Sequence, residues 1–174
     1  MIRVLLADDH HLVRDGLKQI LGQNPDIEIA AEAATGDEVL AQVKARDFDI
    51  VLLDLSMPGL SGIALIKRLK LERPKLRILV LSMHAENQYA ARALRAGALG
   101  YLTKDCASEQ LIVAIRKIAQ GGVYLSDAAT QGLLVATVRG DSPPHSLLSD
   151  REFEIFKLIA NGHGLTEIGH QLNL

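Results

Sequence analysis

Apolar residues in the first two-thirds of the chain alternate between two textures. Short runs rich in Val, Ile and Leu occupy Ile2–Ala7, Ile27–Ala33, Ile50–Leu53, Ile78–Leu81 and Gly100–Leu102. The first, third and fourth are nearly unbroken, as strands covered on both faces of a parallel sheet must be. Between the runs, apolar residues recur at helical spacing: Val13, Leu17, Ile20 and Leu21; then Val39, Leu40 and Val43; Leu65, Ile66 and Leu69; and Leu111, Ile112, Ile115 and Ile118. Thr35 followed by Glu38 predicts a capping box at the start of the second helix. Strands alternating with helices imply right-handed crossovers, hence an α/β fold with a doubly wound, five-stranded parallel sheet.

The texture changes after Gly121-Gly122. Ser126 to Val138 is expected to form one more helix, and Gly140-Asp141-Ser142-Pro143-Pro144 reads as a linker. A second small unit starts at Leu148. Ser149 and Glu152 repeat the capping pattern; Phe153, Phe156, Ile159 and Ala160 line one face, and Asn161-Gly162 stops the helix. A shorter helix with Ile168 and Leu172 follows. The expected divisions are therefore 1–121, 122–147 and 148–174. Residues 1–121 hold 16 basic and 15 acidic groups, whereas 122–174 hold 3 and 6, a net of −3. The whole chain, at −2, is not a polybasic binder of membranes or nucleic acid. One cysteine, Cys106, excludes an internal disulfide and a Cys-paired zinc site, and it reads as a small packing residue. No apolar run reaches the roughly 20 residues of a membrane span. Asp8 and Asp9 interrupt the apolar start too early for a signal peptide, so a soluble, cytoplasmic protein without membrane partners is expected.

The chemistry lies at strand ends. Asp8 and Asp9 follow the first strand and Asp54 the third; in the sheet order 2-1-3-4-5 those strands are neighbours at the topological switch point. The three carboxylates then share one crevice, where each like-charged pair about 4 Å apart costs roughly 4 kcal/mol at an effective dielectric of 20. A divalent cation relieves that repulsion, and oxygen ligands suit Mg²⁺. Ser82 ends the fourth strand and Lys104 follows the fifth, on the same edge. A hydroxyl and an ammonium facing metal-bound carboxylates form a site for a phosphoryl group, with Asp54 as the attacking nucleophile.

Three stretches carry a family resemblance: Val4-Leu5-Leu6-Ala7-Asp8-Asp9-His10, Leu53-Asp54-Leu55-Ser56-Met57-Pro58-Gly59 and Gly97-Ala98-Leu99-Gly100-Tyr101-Leu102-Thr103-Lys104-Asp105. Residues 1–121 resemble the receiver domain of a two-component response regulator, specifically the NarL/FixJ type, with its flavodoxin-like fold. The resemblance implies that Asp54 accepts phosphate from a sensor histidine kinase. It also implies that Asp8, Asp9, Asp54 and the Ser56 backbone carbonyl surround Mg²⁺ or another divalent cation. Ser82 and Tyr101 match the switch positions, and Ser56 and His84 match positions that tune phosphate lifetime. Asp105 stands where many receivers carry a cis-linked proline. No further cofactor is implied, nor any enzymatic activity beyond Mg-dependent self-phosphorylation from a donor and autodephosphorylation.

Leu148-Ser149-Asp150-Arg151-Glu152, Ile159-Ala160-Asn161-Gly162 and Glu167-Ile168 resemble the start of a LuxR-type helix-turn-helix domain, with Thr166 where a Lys is usual. By this match the recognition helix begins beyond Leu174, so DNA binding is expected of a longer form, with homodimerisation on phosphorylation. An alternative makes this form a phosphate sink or dimer-spoiling inhibitor. A haloacid-dehalogenase-like phosphatase would need a second acid two residues after the nucleophile, where Ser56 stands. A flavodoxin-like cofactor carrier would present amides and hydroxyls to phosphate where Asp8-Asp9 stand. His10 and His11 border the acidic pocket; His163 and His170 read as solvated helix residues.

Overall fold

The computed structural model describes residues 1–83, 87–126, 130, 148–160 and 162–171. In chain order the elements are β1 (Ile2–Ala7), α1 (His11–Gly22), β2 (Ile27–Ala33), α2 (Gly36–Ala45), β3 (Ile50–Asp54), α3 (Gly62–Glu72) and β4 (Arg77–Ser82). Then come α4 (Asn87–Ala96), β5 (Gly100–Thr103), α5 (Ser108–Ala119), β6 (Tyr124–Leu125), α6 (Asp150–Ala160) and α7 (Leu165–Gln171). No helix among the described residues is long and apolar enough to cross a membrane.

All strand pairs are parallel, and the sheet order is β2-β1-β3-β4-β5-β6. The expected order 2-1-3-4-5 stands, and a two-residue sixth strand extends it. Gly121, at φ 88°, turns the chain out of α5, and the Tyr124 amide then donates to the Leu99 carbonyl at 2.9 Å. Two residues cannot display a period-2 pattern, which is why the composition around Val123 gives no strand signal.

Alternation along each strand divides the apolar core into two layers. Leu5, Ala7, Val51, Leu53, Ile78 and Val80 pack with α2, α3 and α4 through Val39, Val43, Leu65, Ile66, Ala90 and Ala93. Val4, Leu6, Ile50, Leu52, Leu79 and Leu102 face the other way, against Leu21 of α1 and the Leu111, Ile112, Ile115 and Ile118 stripe of α5. The stripes read on α2, α3 and α5, with Leu17, Ile20 and Leu21 of α1, are thus core stripes, whereas Phe156 and Ile159 of the stripe read on α6 are exposed. The Thr35 hydroxyl accepts from the Glu38 amide at 3.2 Å, while the Glu38 carboxylate reaches one residue further back, to the Ala34 amide at 2.7 Å. Three strands also run one residue past their apolar limits, through Asp54, Ser82 and Thr103. A polar residue ends a hydrophobic run, yet it stays in the ladder when its backbone has a partner: Asp54 is in register with Leu81, and Ser82 with Thr103.

Two helices lie beyond the sheet. Ser149 and Glu152 close their capping box, the Ser149 amide donating to the Glu152 carboxylate at 2.7 Å and the Glu152 amide to the Ser149 hydroxyl at 3.3 Å. Helix α6 stops in a Schellman pattern, with Gly162 at φ 85° donating to the Ile159 carbonyl and His163 to that of Leu158. The helix expected over 126–138 and the linker over 140–144 lie outside the described residues, apart from Ser126 and Thr130. Helix α6 rests on α4. Phe153, 3% exposed, meets Tyr89 edge-on with ring centroids 5.0 Å apart. The Arg92 guanidinium stacks 4.4 Å over the Phe153 ring and donates to the Leu148 carbonyl at 2.8 Å.

These contacts predict that Phe153→Ala loosens α6 from α4. Amide hydrogen exchange in α6 is expected to rise several-fold while the strand amides stay protected; unchanged exchange in α6 would show that its order does not depend on this contact.

Candidate functional site

Register builds the site. Strands β1 and β3 are neighbours with Ala7 opposite Leu53, so the next residue of each, Asp8 and Asp54, emerge side by side at the carboxyl edge. Both are buried, each 1% exposed. The Asp8 amide donates to the Ala33 carbonyl at 3.1 Å, which ties the β1–α1 loop to β2. The loop after β3 is pinned by the side chains of Leu55 and Met57, which join the core layer beneath α3. It also presses on the start of α2, where any Cβ at Gly36 would overlap the Leu60 carbonyl oxygen. Gly36 is therefore the residue that lets α2 and this loop meet.

Lys104 comes in from the end of β5. Its backbone amide donates to the Ser82 carbonyl at 2.8 Å, and its ammonium lies 2.8 Å from Asp54 Oδ2 and 2.7 Å from Asp8 Oδ2. Burial would drive the ammonium down, but its contacts to the accepting Asp54 and Asp8 carboxylates outweigh it and hold Lys104 above its ordinary value. Burial likewise pushes the Asp54 carboxyl up, and the Lys104 contact offsets only part of that rise. The Ser56 amide donates to Asp54 Oδ1 at 3.2 Å, leaving Oδ2 to the lysine.

Asp9 completes the acidic group. Asp8, Asp9, His10 and Asp54 each bring a potential ligand atom within 4.8 Å of the others. Asp9 Oδ1 is buried and receives no hydrogen bond, with His10 Nδ1 3.0 Å away. Carboxylate oxygens gathered in this way, one of them without a donor, fit a small hard cation. His10 borders the pocket as expected, and its amide also donates to Asp8 Oδ1 at 2.9 Å.

Of the residues singled out in the sequence, Asp8, Asp9, Asp54 and Lys104 converge. Ser56 touches Asp54 through its backbone, and Ser82 touches Lys104 through its own. Tyr101 is buried in the core layer that holds Ala90, Ala93 and Ala98, so its ring already packs inward under α4. His84 lies outside the described residues. Cys106 is half-buried beside the α5 layer, and burial followed by the Asp105 charge pushes its thiol up, as befits a packing residue. His163, expected on a helix, instead lies just before α7, with its Nδ1 3.0 Å from Glu167 of that helix. Sequence reasoning missed Arg14, whose guanidinium donates to the Asp8 carbonyl; a bond to a backbone oxygen leaves no mark on residue pattern.

Known proteins are similar to this chain in sequence and fold. The family model for the response regulator receiver domain matches residues 4–116. The chain belongs to that family. The response regulator UvrY of Escherichia coli K12 is 35% identical over 176 residues, covering 100% of this chain and 81% of its own length. The oxygen regulatory protein NreC of Staphylococcus epidermidis is 37% identical over 180 residues, covering 98% of this chain and 83% of its own. Among solved structures, a LuxR-family two-component response regulator from Aurantimonas sp. SI85-9A1 superposes with a TM-score of 0.74 at 33% identity, over 78% of this chain and 97% of that one. The response regulator RcsB of Salmonella typhimurium superposes with a TM-score of 0.73 at 28% identity, over 99% of this chain and 83% of its own. The protein is thus a response regulator of two-component signalling, and the phosphatase and flavodoxin-like readings fall away.

The Lys104 ammonium bridges both buried carboxylates, so its removal tests the electrostatics. Lys104→Met leaves the buried Asp8 and Asp54 carboxylates without the ammonium between them, at an expected cost of about 3 kcal/mol near neutral pH. Without the ammonium the Asp54 carboxyl moves further up. It takes a proton as the pH falls, so the deficit is expected to shrink toward pH 5. Urea unfolding of both proteins at pH 7.5 and 5 checks this, and a pH-independent deficit would contradict it.

Proposed function

We propose that Asp54 is the phosphoacceptor of this response regulator, and that the donor is the phosphohistidine of a sensor kinase. The observation that carries the reading is the convergence of Asp8, Asp54 and Lys104 at one sheet edge, with two oxygens of the buried acids within 2.8 Å of a single ammonium. In the transfer, Asp54 Oδ2 attacks phosphorus in line with the bond to the imidazole nitrogen. The P–N bond breaks, and its electron pair remains on the imidazole. The Lys104 ammonium then exchanges its bond to the carboxylate for one to a transferred phosphoryl oxygen, and the Ser82 hydroxyl donates to another.

Asp8, Asp9, Asp54 and the Ser56 carbonyl would hold Mg²⁺ or another divalent cation, which when bound supplies Lewis-acid neutralisation of the phosphoryl charge. Asp8 and Asp9 provide the negative field that makes the pocket selective for a cation. By their sequence positions, Ser56 and His84 are assigned to tuning the lifetime of the acyl phosphate. The same chemistry limits activity to self-phosphorylation and autodephosphorylation.

The output follows from packing. Ser82 ends β4, and Tyr101 lies on β5 beneath α4, so drawing Ser82 toward a phosphoryl group alters the layer that holds Ala90 and Ala93. That change biases the surface of α4 and α5 toward homodimerisation, and the dimer presents the C-terminal unit to DNA. We assign residues 1–121 to the receiver, 122–147 to a linker and 148–174 to the first helices of a LuxR-type helix-turn-helix domain, acting in the cytoplasm. RcsB, similar over 99% of this chain, has been solved as a complex with DNA and as dimers on DNA, which supports the same output here.

Incubation with a small phosphodonor and Mg²⁺ is expected to label the protein once. Asp54→Asn should remove the label, and equal labelling of that variant would overturn the assignment. Ser82→Ala is expected to accept phosphate yet stay in its resting oligomeric state by light scattering. Phosphorylation-driven dimerisation equal to wild type would defeat the proposed switch.

A further inference from the structure

We infer that Arg14 is a positioning residue for the acidic pocket, a planar fork that fixes the loop carrying Asp8 and Asp9 by joining it to β2. Arg14 Nη1 donates to the Asp8 carbonyl at 2.6 Å, and Nε donates to Glu32 Oε2 at 3.3 Å. Its side chain is 17% exposed, well covered for an arginine on an outer helix. Glu32 is held in turn by Lys18, whose ammonium lies 3.1 Å and 3.2 Å from its two oxygens. The neighbouring residue of β2, Ala33, accepts from the Asp8 amide. The Asp8 residue is therefore gripped at both its N–H and its C=O, by consecutive positions of one strand acting directly and through a guanidinium.

This inference rests on the proposed cation site, and it makes a demand that charge alone opposes. Arg14 brings a positive charge to the loop of a pocket that binds a cation. As a bare charge it would weaken binding, and removing it would tighten the site. As a clamp it does the reverse. Mg²⁺ requires near-octahedral oxygens at about 2.0–2.1 Å and tolerates little displacement, so freeing the loop misplaces two of the three carboxylates. The two roles predict opposite signs for one substitution. Lysine separates them further, because it keeps the charge but offers a point donor in place of a fork that spans a carbonyl and a carboxylate together.

The test is calorimetric titration of the whole chain with MgCl₂ at 0.15 M NaCl. Wild type would be compared with Arg14→Met, Arg14→Lys, Asp9→Ala and Arg116→Met. Arg116 forms a comparable ion pair with Asp26, 2.7 Å from Oδ1, joining α5 to the start of β2. We expect the Mg²⁺ Kd to rise at least threefold in both Arg14 variants, to rise more in Asp9→Ala, and to stay at the wild-type value in Arg116→Met. An unchanged or lower Kd in Arg14→Lys, with Asp9→Ala weakened, would overturn the positioning role and leave the cation site intact. Equal weakening in Arg116→Met would also overturn it, since any lost ion pair would then suffice. If Asp9→Ala binds as well as wild type, the cation site itself fails and the inference fails with it. Should Arg14→Met not fold, Arg14→Lys carries the decision alone.

Discussion

Two buried carboxylates at the end of adjacent parallel strands are the constraint on which everything else in this protein depends. Each is 1% exposed, and they are brought together by the β1–β3 register rather than by any attraction between them. Repulsion at such separations is of the order of several kcal/mol at an effective dielectric near 20. Against it stand the apolar ladders beneath, where Leu5, Leu6, Leu52 and Leu53 are fully buried and hold the backbone in place. Lys104 offsets the rest of the repulsion from β5, two strands beyond β3. The sheet therefore works as a frame that keeps an electrostatically unfavourable group at a fixed geometry, which is what a site for a charged reactant needs. A less continuous core would let the acids drift apart.

Features that rest on periodicity and strand ends were open to sequence reasoning. The Val, Ile and Leu runs locate five strands, and most clearly β3 and β4, whose burial on both faces leaves little room for polar residues. Edge-lying β2 instead carries Glu28 and Glu32. Asp8, Asp54, Ser82 and Lys104 could be grouped because the topology forces successive strand ends to one edge. Contacts made to backbone atoms were not legible. Arg14 reads as an ordinary solvated residue of α1 until the Asp8 carbonyl is seen 2.6 Å away. The close meeting of Gly36 with Leu60 depends on a loop path that no residue pattern encodes. The sixth strand has only two residues, and its signal is the hydrogen bond from Tyr124 to Leu99.

The aromatic residues show how the site and the C-terminal helices share one structure. Only six aromatic rings occur in the chain, three Phe and three Tyr, so the core is almost wholly aliphatic. Three of the six, Tyr89, Tyr101 and Phe153, succeed one another from the core layer outward. Tyr101 occupies the core layer under α4, Tyr89 packs against that layer, and Phe153 meets Tyr89 from α6. Aromatic rings bury much area with few rotatable bonds, and edge-on pairs add specific geometry. They are suited to contacts that must exist in a defined arrangement, rather than to bulk filling, which Leu, Ile and Val supply here.

That succession gives a physical meaning to the placement of Lys104 and Ser82. The amide of Lys104 is bonded to the Ser82 carbonyl, and Ser82 lies opposite Thr103, two residues along β5 from Tyr101. A displacement of Ser82 or Lys104 toward a new anion therefore acts on the strand that carries Tyr101. Helix α4 bears Ala90 and Ala93 toward Tyr101 and bears Tyr89 and Arg92 toward Phe153, so one short helix faces both the core layer and α6. Adjacency of this kind transmits a signal only if some element has two packings of similar energy. Helix α4 has the composition for it. Its inward face bears Ala90 and Ala93, whose small side chains interlock weakly with the layer below, and its contacts with α6 include a ring pair and a guanidinium. Large interlocking side chains at positions 90 and 93 would fix the helix in one place, and the rearrangement proposed to start at Asp54 would then end where it began.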